Sequence, residues 1–317
     1  MISDLNSGTH AVLIVGYRRF ENLATLLNLS IERNVSQIYV ALDGPRTRGE
    51  SIETEKCKQV VADFKTKYPG RITERVSEKN QGAAYSVLMA VGWAFESEEF
   101  LTILEDDCIP SNEFFDFIEQ GKFFLSSDQN CFLICGTQFA PAQVTHSQWS
   151  LSSYPLIWGW ATSKPKWNQL LELLQAYEPK TRIKGRASLA ERLFWGAGAR
   201  RSYQGFVDAW DLPLVHAMRK VNGLALLPGE NFITNIGNDG YATHTKSPSR
   251  WLNKEFGKLE TGNTQPNRNW ELDEWLRRNF YQIRFKHIFT TRLTWLLDLI
   301  GIHKRIRAPL LKRINNN

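Results

Sequence analysis

Three adjacent acids, Glu105, Asp106 and Asp107, close an apolar run that begins at Phe100 and stops at Pro110. Side-by-side carboxylates at the mouth of a strand repel one another and lose hydration, so they need a cation or a set of hydrogen-bond donors. Hard oxygen ligands of this kind suit Mg2+ or Mn2+, ions that keep water and share a phosphate-bearing substrate with the protein. The triplet points to a divalent-metal diphosphate site. Asp208 and Asp211, separated by Ala209-Trp210, form a second acidic pair. An apolar wall such as Trp210 raises a carboxylate's proton affinity, which suits a general base, while capping of the following helix is the structural alternative. Asp43, in Asp-Gly-Pro, is either a turn former or a polar group at a ligand.

Alternating elements must position these residues. Residues 11–17 read as a buried strand, followed by a helix over 21–33 and a second strand over 37–44. A helix over 52–68 ends at Pro69-Gly70, residues 71–76 alternate like a half-buried strand, and Asn80-Gln-Gly82 opens a helix carrying Tyr85, Leu88, Met89 and Trp93. The acid-tipped strand comes next. A helix over 112–126, with Phe114, Phe115, Ile118 and Phe123 inward, leads to a strand over 131–135. This alternation predicts a mostly parallel sheet covered on both faces, with ligands beyond the carboxyl ends of its strands. Arg18, Asp43, Glu78 and the acid triplet all fall at those ends.

The second half is less regular. Residues 153–160 form an aromatic, glycine-containing loop, a helix is expected over 167–177, and 183–205 reads as polar and basic. A short strand over 224–228 and a bend over 231–237 lead to Thr243-His-Thr245. Large aromatics usually belong to a core, yet Trp158 and Trp160 also suit stacking on the apolar faces of a sugar.

The chain has 317 residues, 42% of them hydrophobic, enough core for one large or two modest domains. Its start lacks the pattern of a signal peptide, and the first apolar run is too short to span a bilayer. The four cysteines show no paired CxxC spacing, so reduced cytosolic thiols are expected. The net charge of +6 is concentrated at the end: from Leu276 onward ten basic residues face one acid, Asp298, which leaves the rest of the chain at −3. Residues 289–302 are too interrupted to cross a membrane but suited to lie on an anionic one. A helix packed on the domain, with solvated charges, is the equal alternative. Nucleic-acid binding is not expected, because no recognised module accompanies the charge.

Several segments together resemble nucleotide-sugar glycosyltransferases of the GT-A fold, and in particular bacterial surface-polysaccharide transferases that share motifs with the N-acetylglucosaminyltransferase initiating complex N-glycan branches. They are Leu13-Ile-Val-Gly-Tyr-Arg-Arg19, Val40-Ala-Leu-Asp-Gly44, Ile103-Leu-Glu-Asp-Asp107, Trp158-Gly-Trp160, Asp208-Ala-Trp-Asp211 and Asn231-Phe-Ile-Thr-Asn-Ile-Gly237 with Thr243-His-Thr245. The resemblance, which covers roughly 10–245, implies an α/β, Rossmann-like GT-A domain over 1–262, with a donor half over about 10–137 and an irregular acceptor half over about 138–262. It does not reach the tail, and 263–317 reads from its charge as a basic helical extension.

It also implies roles. Asp107 would ligate Mn2+ or Mg2+, with His244 near the metal or diphosphate. Asp106 would address the ribose or a metal-bound water, and Glu105 a sugar hydroxyl or ribose. Asp43 would bond the nucleobase, Arg18 would lie close to the nucleotide, and Glu78 and Asn80 would line the nucleoside pocket. Alignment with the branching transferase favours Asp208 as base, whereas the Trp-Asp pairing of bacterial relatives favours Asp211. The implied activity is inverting transfer from a nucleotide-diphosphate sugar, such as a UDP-sugar, to a glycan or lipid-linked glycan acceptor, in the cytoplasm or on the inner face of the membrane. A non-catalytic glycan-binding or assembly subunit that kept the fold is the alternative. A sugar-phosphate nucleotidyltransferase would need a glycine-rich, lysine-bearing loop after the first strand, which Gly16-Tyr-Arg-Arg-Phe20 does not provide.

Overall fold

The computed structural model describes residues 10–145, 148–175, 183–237, 250–259 and 265–299. His244 and the segment after 299 lie outside them. The first half alternates β1 (Ala11–Gly16), α1 (Phe20–Glu32), β2 (Ile38–Leu42), α2 (Ser51–Lys67), β3 (Ile72–Val76), α3 (Ala83–Ala94) and β4 (Phe100–Glu105). After it come β5 (Cys108–Pro110), α4 (Asn112–Ser127), β6 (Cys131–Cys135), α5 (Ala142–Thr145), β7 (Trp149–Ser152), β8 (Trp160–Ser163), α6 (Lys164–Gln175), α7 (Leu189–Tyr203) and α8 (Asp211–Lys220). The described chain ends with β9 (Leu224–Pro228), β10 (Ile233–Asn235), β11 (Asn267–Arg268), α9 (Trp270–Trp275) and α10 (Lys286–Leu299).

Among the described residues the strands form one large sheet, in the order β11-β7-β9-β6-β8-β4-β1-β2-β3, and a small one pairing β10 with β5. The β4-β1-β2-β3 block is parallel throughout, and β8 enters antiparallel between β4 and β6. This is the α/β, mostly parallel architecture that the alternation predicts. Strands β1 and β2 are continuous apolar runs because both their faces are covered. Leu13 and Ile103 pack into one hydrophobic cluster, and Val12, Ile14 and Leu104 into another on the opposite face. Edge strand β3 carries charge instead, and its Glu74 pairs with Lys65 at 2.7 Å. In register, Val15 lies between Ala41 of β2 and Glu105 of β4, so the ends of these strands open at one level.

Two expectations need correction, and one stretch read only as polar and basic holds a helix. Phe123 is exposed on α4, and Phe117 and Phe124 take the inward positions, because the buried stripe of this helix runs through 114, 117, 118, 121 and 125. Residues 183–205 contain the helix α7, started by a capping box in which Ser188 and Glu191 bond each other's backbone. Its buried positions are Ala190, Glu191, Trp195 and Ala199, and with a single large apolar residue, Trp195, among them the helical period is hidden. Trp160 is 1% exposed and sits against Trp167 and Trp210, with ring centroids at 5.9 and 5.5 Å, so it has no face for a sugar.

Residues 265–283 are bound into the body. Strand β11 extends the sheet alongside β7, Asp273 accepts from Ser152 Oγ at 2.6 Å, and Leu272, Leu276 and Ile283 are buried in the core. Helix α10 then packs against α7. No helix among the described residues is long and apolar enough to cross a membrane.

Candidate active site

Strand β4 brings its acids to the end of β1, and Asp106 ties the two together. Its amide donates to the Val15 carbonyl at 3.0 Å. Its carboxylate accepts from the Tyr17 amide at 2.8 Å and from the Arg19 guanidinium at 2.7 Å. Its carbonyl accepts from Asn22 at 2.9 Å. Both carboxylate oxygens are thus engaged by the turn between β1 and α1.

Arg19 Nη1 also lies 3.7 Å from Asp107 Oδ2. Nothing in Tyr17-Arg18-Arg19 distinguishes the two arginines as sequence, and it is Arg19, not Arg18, that reaches the acids. Arg18 pairs with Glu50 at 3.0 Å and lies over the Tyr17 ring, whose hydroxyl donates to the same glutamate at 2.6 Å.

Asp107 is held by the small sheet. The carbonyl of Asp107 accepts from the Ile236 amide at 2.8 Å, and its carboxylate from the Cys108 thiol at 3.2 Å. A Cβ on Gly237 would come within 2.5 Å of Asp107 Oδ2, so a side chain there would push this carboxylate aside. Burial, and then the charge of Asp106, push the Asp107 carboxyl above the ordinary range, with Arg19 opposing. Glu105 is pushed up as well, by burial first and then by Asp107, Asp106 and Asp211, with a hydrogen bond from the Trp210 side chain opposing. Among the described residues, the cation that pairs with Asp106 and Asp107 is Arg19.

Asp211 opens α8 directly after Trp210, which is wedged against Trp160, and its charge reaches both Glu105 and Tyr281. Asp208 stands elsewhere. Its two carboxylate oxygens accept from the Ala83 and Ala84 amides at 2.9 and 2.8 Å, capping α3 rather than the helix that follows it in sequence. Gly82, with φ of +86°, makes the close approach possible, since a Cβ there would meet Asp208 Oδ2 at 2.9 Å.

Buried Asp43 organises the loop that enters α3. Its carboxylate accepts from the Asn80 side chain and the Gln81 amide, each at 2.9 Å, and from the Gly82 amide at 3.2 Å. Beside it lies a cleft of about 500 Å³ lined by Val15, Asp43, Glu78, Tyr85, Ser86 and Met89, among others. Tyr85 and Met89, read from sequence only as members of a helix, face outward and form one wall. The buried Ser86 hydroxyl has no hydrogen-bond partner among the described residues. Trp158 is half-buried, edge to face with Phe139 at 5.0 Å.

Among the described residues, no group of three or more His, Cys, Asp or Glu side chains is arranged to hold a metal by itself. Mg2+ does not require that, because one or two carboxylates with substrate phosphates and water complete its shell. Glu105 and Asp107 fit such a cation: they are hard oxygen donors with raised proton affinity, next to a Cys108 thiol that burial keeps protonated.

No protein-family model matches the chain. No curated protein matches it either. Among solved structures, similarity is found to a UDP-glucose pyrophosphorylase complexed with UDP-glucose, at 8% identity and a TM-score of 0.39, over 74% of this chain and 96% of that one. A mannose-1-phosphate geranyltransferase from Thermus thermophilus matches at 12% identity and a TM-score of 0.36, over 71% of this chain and 74% of the other. A protein from Bacillus anthracis assigned as a glucose-1-phosphate thymidylyltransferase, in complex with sucrose, matches at 10% identity and a TM-score of 0.40, over 76% and 98% of the two chains. Similarity at these scores decides neither activity nor substrate.

Proposed function

We propose that this chain is a metal-dependent, inverting GT-A glycosyltransferase that moves a sugar from a nucleotide-diphosphate donor, such as a UDP-sugar, to a glycan or lipid-linked glycan acceptor in bacterial surface polysaccharide synthesis. The observation that carries this reading is the acid cluster at the end of β4, where Arg19 lies 2.7 Å from Asp106 and 3.7 Å from Asp107, with Asp211 near enough for its charge to raise the proton affinity of Glu105. The nucleoside occupies the cleft beside Asp43, Glu78 and Tyr85, and Asn80 acts by holding Asp43 in place. Asp107, with Glu105 beside it, would hold Mn2+ or Mg2+, and such an ion would supply positive charge to the leaving diphosphate. Arg19 adds a fixed positive group at the same edge.

Asp211 is the base. It takes the proton of the acceptor hydroxyl as that oxygen attacks the anomeric carbon from the face opposite the diphosphate, which inverts the configuration. Trp210 sets the direction of Asp211 through its contact with Trp160, and Trp158 is the aromatic left to meet a sugar. Residues 10–137 serve the donor and 138–262 the acceptor, with 263–317 as an extension whose first part is anchored to the body.

The competing reading, a non-catalytic glycan-binding subunit, is favoured by the Arg19 ion pairs, which neutralise part of the acid cluster without any metal. A screen of nucleotide sugars with Mn2+ decides between them. Turnover that releases nucleoside diphosphate and is lost in both Asp107→Ala and Asp211→Asn supports the enzyme. Release of pyrophosphate would move the chain to nucleotidyl transfer. Glycan binding with no metal-dependent turnover on any donor leaves the binding subunit.

A further inference from the structure

Helix α10 presents an apolar stripe to the outside. Phe285, just before its first residue, is 73% exposed, and Phe289, Leu293 and Leu296 are 66%, 37% and 51% exposed. At ~100° per residue these four positions fall within an arc of about 80° on the helix. Thr294 is buried on the opposite side, consistent with α10 lying against α7. The Phe285 and Phe289 rings meet edge to face at 6.1 Å, so the stripe is continuous at its start. A row of exposed large apolar side chains on one face marks a surface that something covers.

Charge selects the occupant. Arg284 and Lys286 flank the start of the stripe, and residues 300–317 carry Lys304, Arg305, Arg307, Lys312 and Arg313 with no Asp or Glu. A second copy packed stripe to stripe would bring the basic residues beside the stripe, Arg284 and Lys286, of both copies into one interface, where they repel. An anionic bilayer meets both needs at once: Phe and Leu enter the boundary between headgroups and acyl chains, while Lys and Arg meet lipid phosphates. The described part of α10, 14 residues, is too short to cross a hydrocarbon core of ~30 Å, which suits a helix lying in the interface plane.

We propose that α10 docks this chain on an anionic lipid surface through Phe285, Phe289, Leu293 and Leu296. The proposal stands on that helix and its charge and does not require the active-site reading. The test is sedimentation of the full chain with vesicles of phosphatidylcholine alone or with about one third phosphatidylglycerol. The full chain pellets with the anionic vesicles at low salt, stays in solution with phosphatidylcholine alone, and is released by high salt. The triple variant Phe285→Ser/Phe289→Ser/Leu296→Ser keeps its circular dichroism and thermal midpoint, since the three side chains are exposed, and its partition onto anionic vesicles drops roughly tenfold or more. Absence of pelleting at low salt, or equal pelleting of the triple variant, overturns the proposal. So does a dimer of the full chain that the triple variant dissociates, because a second copy would then cover the stripe.

Discussion

Asp208 holds the N-terminus of α3 from 125 residues further along the chain, its two oxygens accepting from the Ala83 and Ala84 amides at 2.9 and 2.8 Å. Those amides have no partner within their own helix, and a carboxylate at that end also meets the positive pole of the helix dipole. One wall of the cleft, formed by Tyr85 and Met89, therefore depends on a residue of the second half of the chain. The same contact separates the two candidate bases.

Asp208→Ala is expected to lower stability by about 1 kcal/mol, as the loss of a helix cap does, and to weaken donor binding while keeping most of the turnover at saturating donor. Asp211→Asn is expected to keep the melting temperature and to lose at least about a hundredfold in turnover. Thermal melts and initial rates on both variants check this. The reverse pattern, with Asp208→Ala inactive and Asp211→Asn active, makes Asp208 the base.

Two glycines touch the two carboxylates differently, and their alanine variants should separate structure from chemistry. Gly82→Ala forces a side chain onto a φ of +86° and against Asp208, so it should destabilise by roughly 1–2 kcal/mol. Gly237→Ala puts the new Cβ 2.5 Å from Asp107 Oδ2 and 3.0 Å from Asn235 Oδ1, both of them ends of side chains that can shift. Its stability should change little, while a misplaced carboxylate costs about a hundredfold in rate. A Gly237→Ala protein with wild-type rates would remove Asp107 from the reaction.

What could be read in advance follows from which interactions are local. Strands β1, β2 and β4 were legible because burial on both faces turns them into unbroken apolar runs, and the acids at their ends are the first residues those runs cannot cover. The destination of each acid was not legible. Asp106 and Asp107 differ only in which way a strand end turns them, and that turn gives Asp106 to Tyr17 and Arg19. Helix α7 was missed because its buried face is Ala, Glu, Trp and Ala, although Ser188 and Glu191 carry the spacing of a capping box. The two-residue strand β11 has no pattern to detect, and long-range bonds such as Asp273 to Ser152 secure the segment that follows it.

His216 supplies a pH dependence that lies apart from the acids. Burial, and then the charge of Lys220, hold its imidazole down at about 4 from the ordinary 6.5. The unfolded chain takes up this proton near 6.5 and the folded chain only near 4, so acidification through that window favours unfolding. Stability should rise as pH climbs from about 4 to 6.5, by ~3 kcal/mol at most for this one group. Chemical denaturation across that range should give a flatter profile for His216→Gln than for the wild type. Equal slopes would assign the acid sensitivity to other groups.

Arg19 is the residue on which the metal reading can be tested without any turnover. Its guanidinium lies 2.7 Å from Asp106 and 3.7 Å from Asp107, in a pocket where both partners keep little solvent. Removing it in Arg19→Ala takes from Asp106 and Asp107 the cation that pairs with them among the described residues, and a broken buried pair of this kind costs about 3 kcal/mol. If the acids form a cation site, Mn2+ takes over part of the lost compensation, since an ion that binds only the folded chain stabilises it by mass action. Arg19→Ala should therefore melt well below the wild type without metal and recover more of its midpoint than the wild type gains when Mn2+ is added. Asp107→Ala in the same background should abolish that recovery. A variant that loses stability and gains nothing from Mn2+ would mean that Arg19 is the cation the cluster was built around, with no second one to follow.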